Sequence, residues 1–228
     1  MAEPWVGIQI SAETILDEGI DNCLDGLREM ANINALIIYT HNTSPRPYNT
    51  LADHGPHPRG YDGRTFPSVW VRTHDEYYGG TFLRWPEAPA TATYAGTDIF
   101  EALEDAAAKR GMELWSRNLG YDWRIPNGDK VLEIDCYGRQ HATACYNHPD
   151  YANFCVSTVE DMFKTHPMVK GLKYGPERMG PLGDLIYWSR PEADRLPYCF
   201  CEHCQAKAAA RGINVQRAIA GWTKFYEF

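Results

Sequence analysis

The chain has 228 residues, 44% of them hydrophobic, with 30 acidic against 22 basic side chains and a formal net charge of −8. That length fits one domain with a sizeable core. An acidic chain without a basic run argues against nucleic acid or an anionic membrane as partner and suits a protein handling a neutral substrate. No apolar run approaches the ~20 residues of a membrane helix, and the segment Met1–Trp5 lacks the basic and apolar regions of a secretory signal. Seven cysteines, an odd number, fit a reducing compartment better than a disulfide framework, so a cytoplasmic location is expected. The 7 Trp and 14 Tyr either pack core and surface or offer stacking platforms for sugar rings.

Trp5–Ile10 reads as a short buried strand, and Ile20, Leu24, Leu27 and Met30 recur at helical spacing, predicting a helix around 14–31. Ala35–Tyr39 is a second buried strand that runs into Thr40-His41-Asn42. Residues 43–96 form a long excursion rich in Pro, Gly, Tyr and His, whose many aromatics argue for a folded insertion, with a small strand at Ser68–Arg72. Asp98 with Glu101 looks like a capping box, and Gly111 follows Lys109-Arg110 as a stop, so residues 98–110 are a helix. Met112–Arg117 is a third strand, followed by a second excursion over about 119–146. Pro149 opens a helix with Phe154, Val159 and Phe163 on its apolar positions. Val169–Tyr174 is a fourth strand, ending at Pro176-Glu177-Arg178. A helix from about Cys201 to Arg211 stops at Gly212, and a last one begins near Asn214.

This alternation predicts an α/β fold with a parallel sheet, the excursions always following strands. Elaborated loops at strand C-termini are expected of a (β/α)8 TIM barrel, whose active site lies on that face. About four βα units are present, so the chain reads as a single partial barrel domain over residues 1–228. Two explanations stand: the remainder lies in a longer chain, or a half-barrel completes itself as a homo-oligomer.

Glu177 is the best single catalytic candidate. A carboxyl on the rim after the fourth strand, flanked by Tyr174 and Arg178, can be kept protonated by partial burial and donate to a leaving oxygen. It can equally be a rim carboxylate paired with Arg178. Downstream, Cys199-Phe200-Cys201-Glu202-His203-Cys204 is a C-x-C-x2-C cluster whose thiolates can wrap one soft metal ion, Zn2+ being the commonest. Free thiols in a reduced protein are the alternative. Other polar groups converge on the same rim: Tyr39, His41 and Asn42 after strand two, and Trp115, Arg117 and Asn118 after strand three. Arg117 and Asn118 suit hydroxyl binding, and Trp115 suits the floor of a subsite, although strand alternation can turn Trp115 and Lys173 towards helices. His41, His54, His57 and His74 lack the carboxylate cluster that would make a second metal site. Asp122 and Asp135 either border the site or cap turns. No G-x-G-x-x-G, Walker or G-x-S-x-G motif occurs.

A Glu after the fourth strand, followed by C-x-C-x2-C opening a helix, resembles the bacterial β-galactosidases of glycoside hydrolase family 42. That resemblance covers roughly residues 145–212 by motif and the rest by architecture. It implies a structural zinc held by three such cysteines plus one from an earlier loop. The matching earlier stretch begins at Cys145, so the implied quartet is Cys145, Cys199, Cys201 and Cys204, a closed set that would not activate water. It also implies that Glu177 is the general acid/base of a glycosidase acting on a neutral carbohydrate. Two departures stand out. The family has an Asn before this Glu, contacting the sugar 2-hydroxyl, where this chain has Pro176. The family nucleophile is a Glu on the seventh strand, and only four strands are predicted here. A zinc-stapled carbohydrate-binding or assembly protein without hydrolytic activity, or a sugar isomerase or lyase, are the alternatives.

Overall fold

Four short segments form one parallel sheet: β1 (Gly7–Ser11), β2 (Ala35–His41), β3 (Glu113–Asn118) and β6 (Val169–Tyr174). The computed structural model describes residues 4–41, 69–118, 125–175 and 199–227. The strands lie side by side in chain order, β1-β2-β3-β6, and every pairing is parallel. Helical segments lie between consecutive strands: α1 (Ala12–Glu18) and α2 (Ile20–Ala31), then α3 (Ile99–Lys109), then α4 (Pro149–Thr165). Helices α5 (Glu202–Ala210) and α6 (Val215–Glu227) follow β6. No helix among the described residues is long and apolar enough to cross a membrane.

The chain clusters into two compact units. The first comprises residues 1–77, 85–120 and 158–175; the second comprises 78–84, 121–157 and 176–228. Helix α4 contributes its residues up to Ser157 to the second unit and the remainder to the first.

In the first unit, strand alternation sorts side chains between two faces. Leu36 and Ile38 pair in register with Leu114 and Ser116. Leu36, Ile38 and Leu114 share one core with Ile15 and Leu24 from the first helices and Phe100, Leu103 and Ala107 from α3. The opposite face carries Gly7, Gln9, Ile37, Tyr39, Glu113, Trp115 and Arg117. Near the strand starts, Glu113 Oε2 accepts both indole N–H groups, from Trp5 at 3.0 Å and from Trp115 at 2.9 Å. The two rings meet edge to face with centroids 5.6 Å apart. Trp115 lies so close to the backbone of Gly171 that an added Cβ would clash with the six-membered part of its indole.

The helix expected over 14–31 is two helices. Gly19 sits between them at φ 84°, a conformation disfavoured for residues with a Cβ, and its N–H closes α1 on the Leu16 carbonyl. Met30, expected on the apolar face of that helix, is 83% exposed. Phe163 of α4 is likewise exposed rather than core. The Asp98 cap holds: Oδ1 accepts from the N–H groups of Phe100 at 3.0 Å and Glu101 at 3.2 Å. The Glu101 carboxylate does not close a reciprocal box; it pairs with the Arg72 guanidinium instead. No strand forms over the described part of Ser68–Arg72; Val69 makes one isolated antiparallel bridge to His41.

The second unit has its own small sheet, the antiparallel hairpin β4 (Leu132–Ile134) and β5 (Gln140–Ala144), within the excursion over about 119–146, where the sequence predicts no strand. Asp135 staples its turn. Oδ1 accepts the N–H groups of Tyr137 and Arg139, both at 2.9 Å, while Oδ2 takes Arg139 Nε at 2.7 Å and pairs with His141 Nε2 at 3.0 Å. Burial alone would raise this carboxyl, but those donors hold it down at about 2. In the same unit Tyr78, Tyr151 and Phe154 form a buried aromatic cluster.

Candidate metal centre

The hairpin delivers the first thiol. Cys145 follows β5 directly, its N–H donates to the Val131 carbonyl at 2.7 Å, and its own carbonyl accepts from His148 as the chain turns into α4. The other three thiols arrive with the segment before α5. There Phe200 N–H donates to the Ile134 carbonyl at 2.6 Å, which ties the C-x-C turn to the hairpin. Cys201 is the N-cap of α5, and Cys204 lies in its first turn.

The sulfurs converge. Cys145 Sγ is 3.6 Å from Cys201 Sγ and 3.5 Å from Cys204 Sγ, and the four sulfurs of Cys145, Cys199, Cys201 and Cys204 all lie within 4.8 Å of one another. A tetrahedron built on metal–sulfur bonds of ~2.3 Å has sulfur–sulfur edges of ~3.8 Å. The observed separations are on that scale and far beyond a disulfide; all seven cysteines are free thiols. The four cysteines can therefore hold a metal ion. Cys145 and Cys201 are buried and the other two half-buried. The Cys199 thiol is pushed up by its hydrogen bond with Cys145 and by burial, and Cys204 is pushed up to about 11, chiefly by burial. Metal uptake here must displace protons from thiols.

His203, between two of the thiols, is outside the cluster. Its ring meets His148 edge to face at 4.5 Å, and Nε2 lies 3.7 Å from Glu202. Asn147 Nδ2 donates to Cys204 Sγ at 3.2 Å, and Lys207 Nζ donates to Asn147 Oδ1 at 2.9 Å. Sequence reasoning missed both residues, because an exposed Asn and Lys separated by 60 positions carry no local signal.

The strand-end residues belong to the first unit. Tyr39 and Arg117 are register partners on the same face, with the guanidinium 5.0 Å from the Tyr39 ring centroid. Trp115 shares that face one pleat earlier, so the expected alternative of a helix-facing Trp115 does not hold. Arg117 and Asn118 are almost fully buried. His41 is buried too: its Nδ1 lies 2.9 Å from Thr40 Oγ1, which meets Ser116 Oγ at 2.6 Å, and its ring stacks at a tilt 4.5 Å from Trp85. Burial, then the nearby His166, pushes its pKa down to about 3, so it is neutral. Tyr174 is exposed at the end of β6. Asn42, Glu177 and Arg178 lie outside the described residues, as do His54 and His57. His74 is engaged by Asp161, which accepts its backbone N–H and pairs with its Nδ1, both at 2.8 Å.

A further buried pair escaped sequence reasoning. His166 Nε2 lies 2.9 Å from Asp98 Oδ2, with both side chains at most 2% exposed. No family model matches the chain, and neither a curated protein nor a solved structure matches it.

Proposed function

We propose that the chain is part of a (β/α)8 glycoside hydrolase resembling family 42, stapled by a structural Zn2+ on Cys145, Cys199, Cys201 and Cys204. The observation that carries this reading is the place of Cys145. Spacing alone links only Cys199, Cys201 and Cys204; the family resemblance required a fourth thiol from an earlier loop, and Cys145 lies within 3.6 Å of Cys201. The chain-order parallel sheet with helices between its strands is the arrangement a barrel of this type begins with.

In this reading Zn2+ is closed off by four thiolates and supplies folding free energy, not a water nucleophile. Catalysis falls to Glu177, which protonates the leaving oxygen of a neutral glycoside. Its partner carboxylate, on the seventh strand in the family, comes from outside these residues. Tyr39, Trp115 and Arg117, on one sheet face, would line the carbohydrate side of the barrel. Homo-oligomer contacts or further chain would cover what that face leaves half-exposed.

Pro176, where the family has its sugar-binding Asn, favours a second reading: a zinc-stapled carbohydrate-binding protein without turnover. Product analysis on unactivated glycosides separates the two. Hydrolysis that falls about 10²–10⁴-fold in Glu177→Gln supports the acid/base role. Unchanged rates in that variant remove it, and sugar binding without product moves the assignment to the second reading.

A further inference from the structure

We propose that Asn147, braced by Lys207, is an outer-sphere donor that tunes the Cys204 thiolate of the metal centre. The inference rests on reading the four cysteines as that centre.

The orientation of the Asn147 amide follows from its neighbours. A lysine ammonium can only donate, so the group 2.9 Å from Lys207 Nζ is the amide oxygen. The NH2 group therefore faces Cys204 Sγ at 3.2 Å. Once Cys204 is a thiolate it is purely an acceptor, so this contact is an N–H···S bond whose donor is polarised by a cation behind it. Four thiolates around a divalent ion leave a charge of −2 to be stabilised. Two carboxylates add to that negative charge: Glu202 opens α5, and Asp150 sits 3.8 Å from His148. The Lys207–Asn147 relay delivers positive potential to one sulfur. Cys199 receives its counterpart from the backbone, the Cys201 N–H at 3.5 Å. The two half-buried sulfurs thus each have an N–H donor. Outer-sphere partners of this kind typically change metal affinity 10–100-fold.

The test measures Zn2+ affinity by competition with a chromophoric chelator, and the sulfur-to-metal charge-transfer band of the Co2+-substituted protein. The proteins are wild type, Asn147→Leu, Asn147→Asp and Lys207→Met. Asn147→Leu keeps the size and removes the donor; Zn2+ binding should weaken about tenfold or more, and the charge-transfer band should move to lower energy as the sulfur lone pairs rise. Asn147→Asp preserves, even strengthens, the contact with Lys207 but turns an acceptor towards the thiolate. It should weaken binding at least as much, whereas a merely structural Asn147–Lys207 contact would leave it like wild type. Lys207→Met should show a smaller loss that fades at high salt. Affinities within twofold of wild type and an unmoved band in both Asn147 variants overturn the inference while leaving the metal centre standing. A wild-type protein that takes up neither Zn2+ nor Co2+ overturns both.

Discussion

Replacing Asp98 by alanine should be among the costliest single changes in the first unit. One carboxylate there serves four donors: Oδ1 caps α3 through Phe100 and Glu101, and Oδ2 takes the Arg72 N–H at 2.6 Å and the His166 ring at 2.9 Å. The acceptors around His166 favour its protonated form. Thr165 spends its hydroxyl proton on the Asp161 carbonyl at 2.7 Å, so it and the Met162 carbonyl can only accept at His166 Nδ1, while Asp98 accepts at Nε2. Burial pulls the His166 pKa down, but the Asp98 hydrogen bond and charge outweigh it, and the net shift is upward. Burial likewise pushes Asp98 up, and His166 with the Arg72 N–H brings it net below its ordinary value. Asp98→Ala removes a cap of ~1 kcal/mol and strands a buried cation, a loss of ~3–5 kcal/mol when one partner of such a pair is deleted. A total near ~5 kcal/mol is expected in urea unfolding followed by circular dichroism. Asp98→Asn keeps the cap and should cost less, but it must change the pH response. A raised His166 contributes stability that is complete below its unfolded value of 6.5 and is lost as pH rises through the folded value. On the acid side, His41, buried neutral with its pKa near 3, loses its contribution as pH falls from 6.5 towards that value, and Asp98 follows below 3.8. His74, Asp161 and Arg72 also lie around the pair, so the difference between wild type and Asp98→Asn from pH 6.5 to 8.5 isolates its share. An Asp98→Ala loss under 1 kcal/mol, or the same alkaline slope in Asp98→Asn, would refute the argument.

If the four cysteines hold the proposed Zn2+, stripping it with a strong chelator should destabilise the second unit. The clip from Cys145 to Cys199 closes a loop of 199 − 145 = 54 residues, a cross-link worth ~4 kcal/mol of chain entropy. A melting temperature that ignores the chelator would remove the clip. Gly171→Ala drives a methyl against the Trp115 indole, so a loss of ~1–3 kcal/mol and an altered tryptophan emission are expected. An unchanged spectrum would mean the indole does not lie over that backbone.

Local chemistry made much of this chain legible. The α3 cap at Asp98, the strands Ala35–His41 and Val169–Tyr174, and the helix after Cys201 all carry their signals within a few residues: a short acceptor before a periodic run, a block of β-branched and aliphatic residues, a glycine stop. The hairpin Leu132–Ala144 was missed because its first strand is only three residues long and is held by the Asp135 turn rather than by alternation. One helix was expected where Gly19 makes two, since periodicity ignores a single positive φ.

By itself the sequence determined that three thiols stand together before a helix and that apolar strands alternate with amphipathic helices, because capping, pattern and spacing are nearest-neighbour properties. The family resemblance put Cys145 with those thiols, and the structure brings its sulfur among theirs; only the tertiary structure decided that Asn147 and Lys207 reach Cys204. It alone seated His166 on the carboxylate of a cap 68 positions away. Such meetings depend on how chain segments remote in sequence pack, and no local propensity encodes that distance.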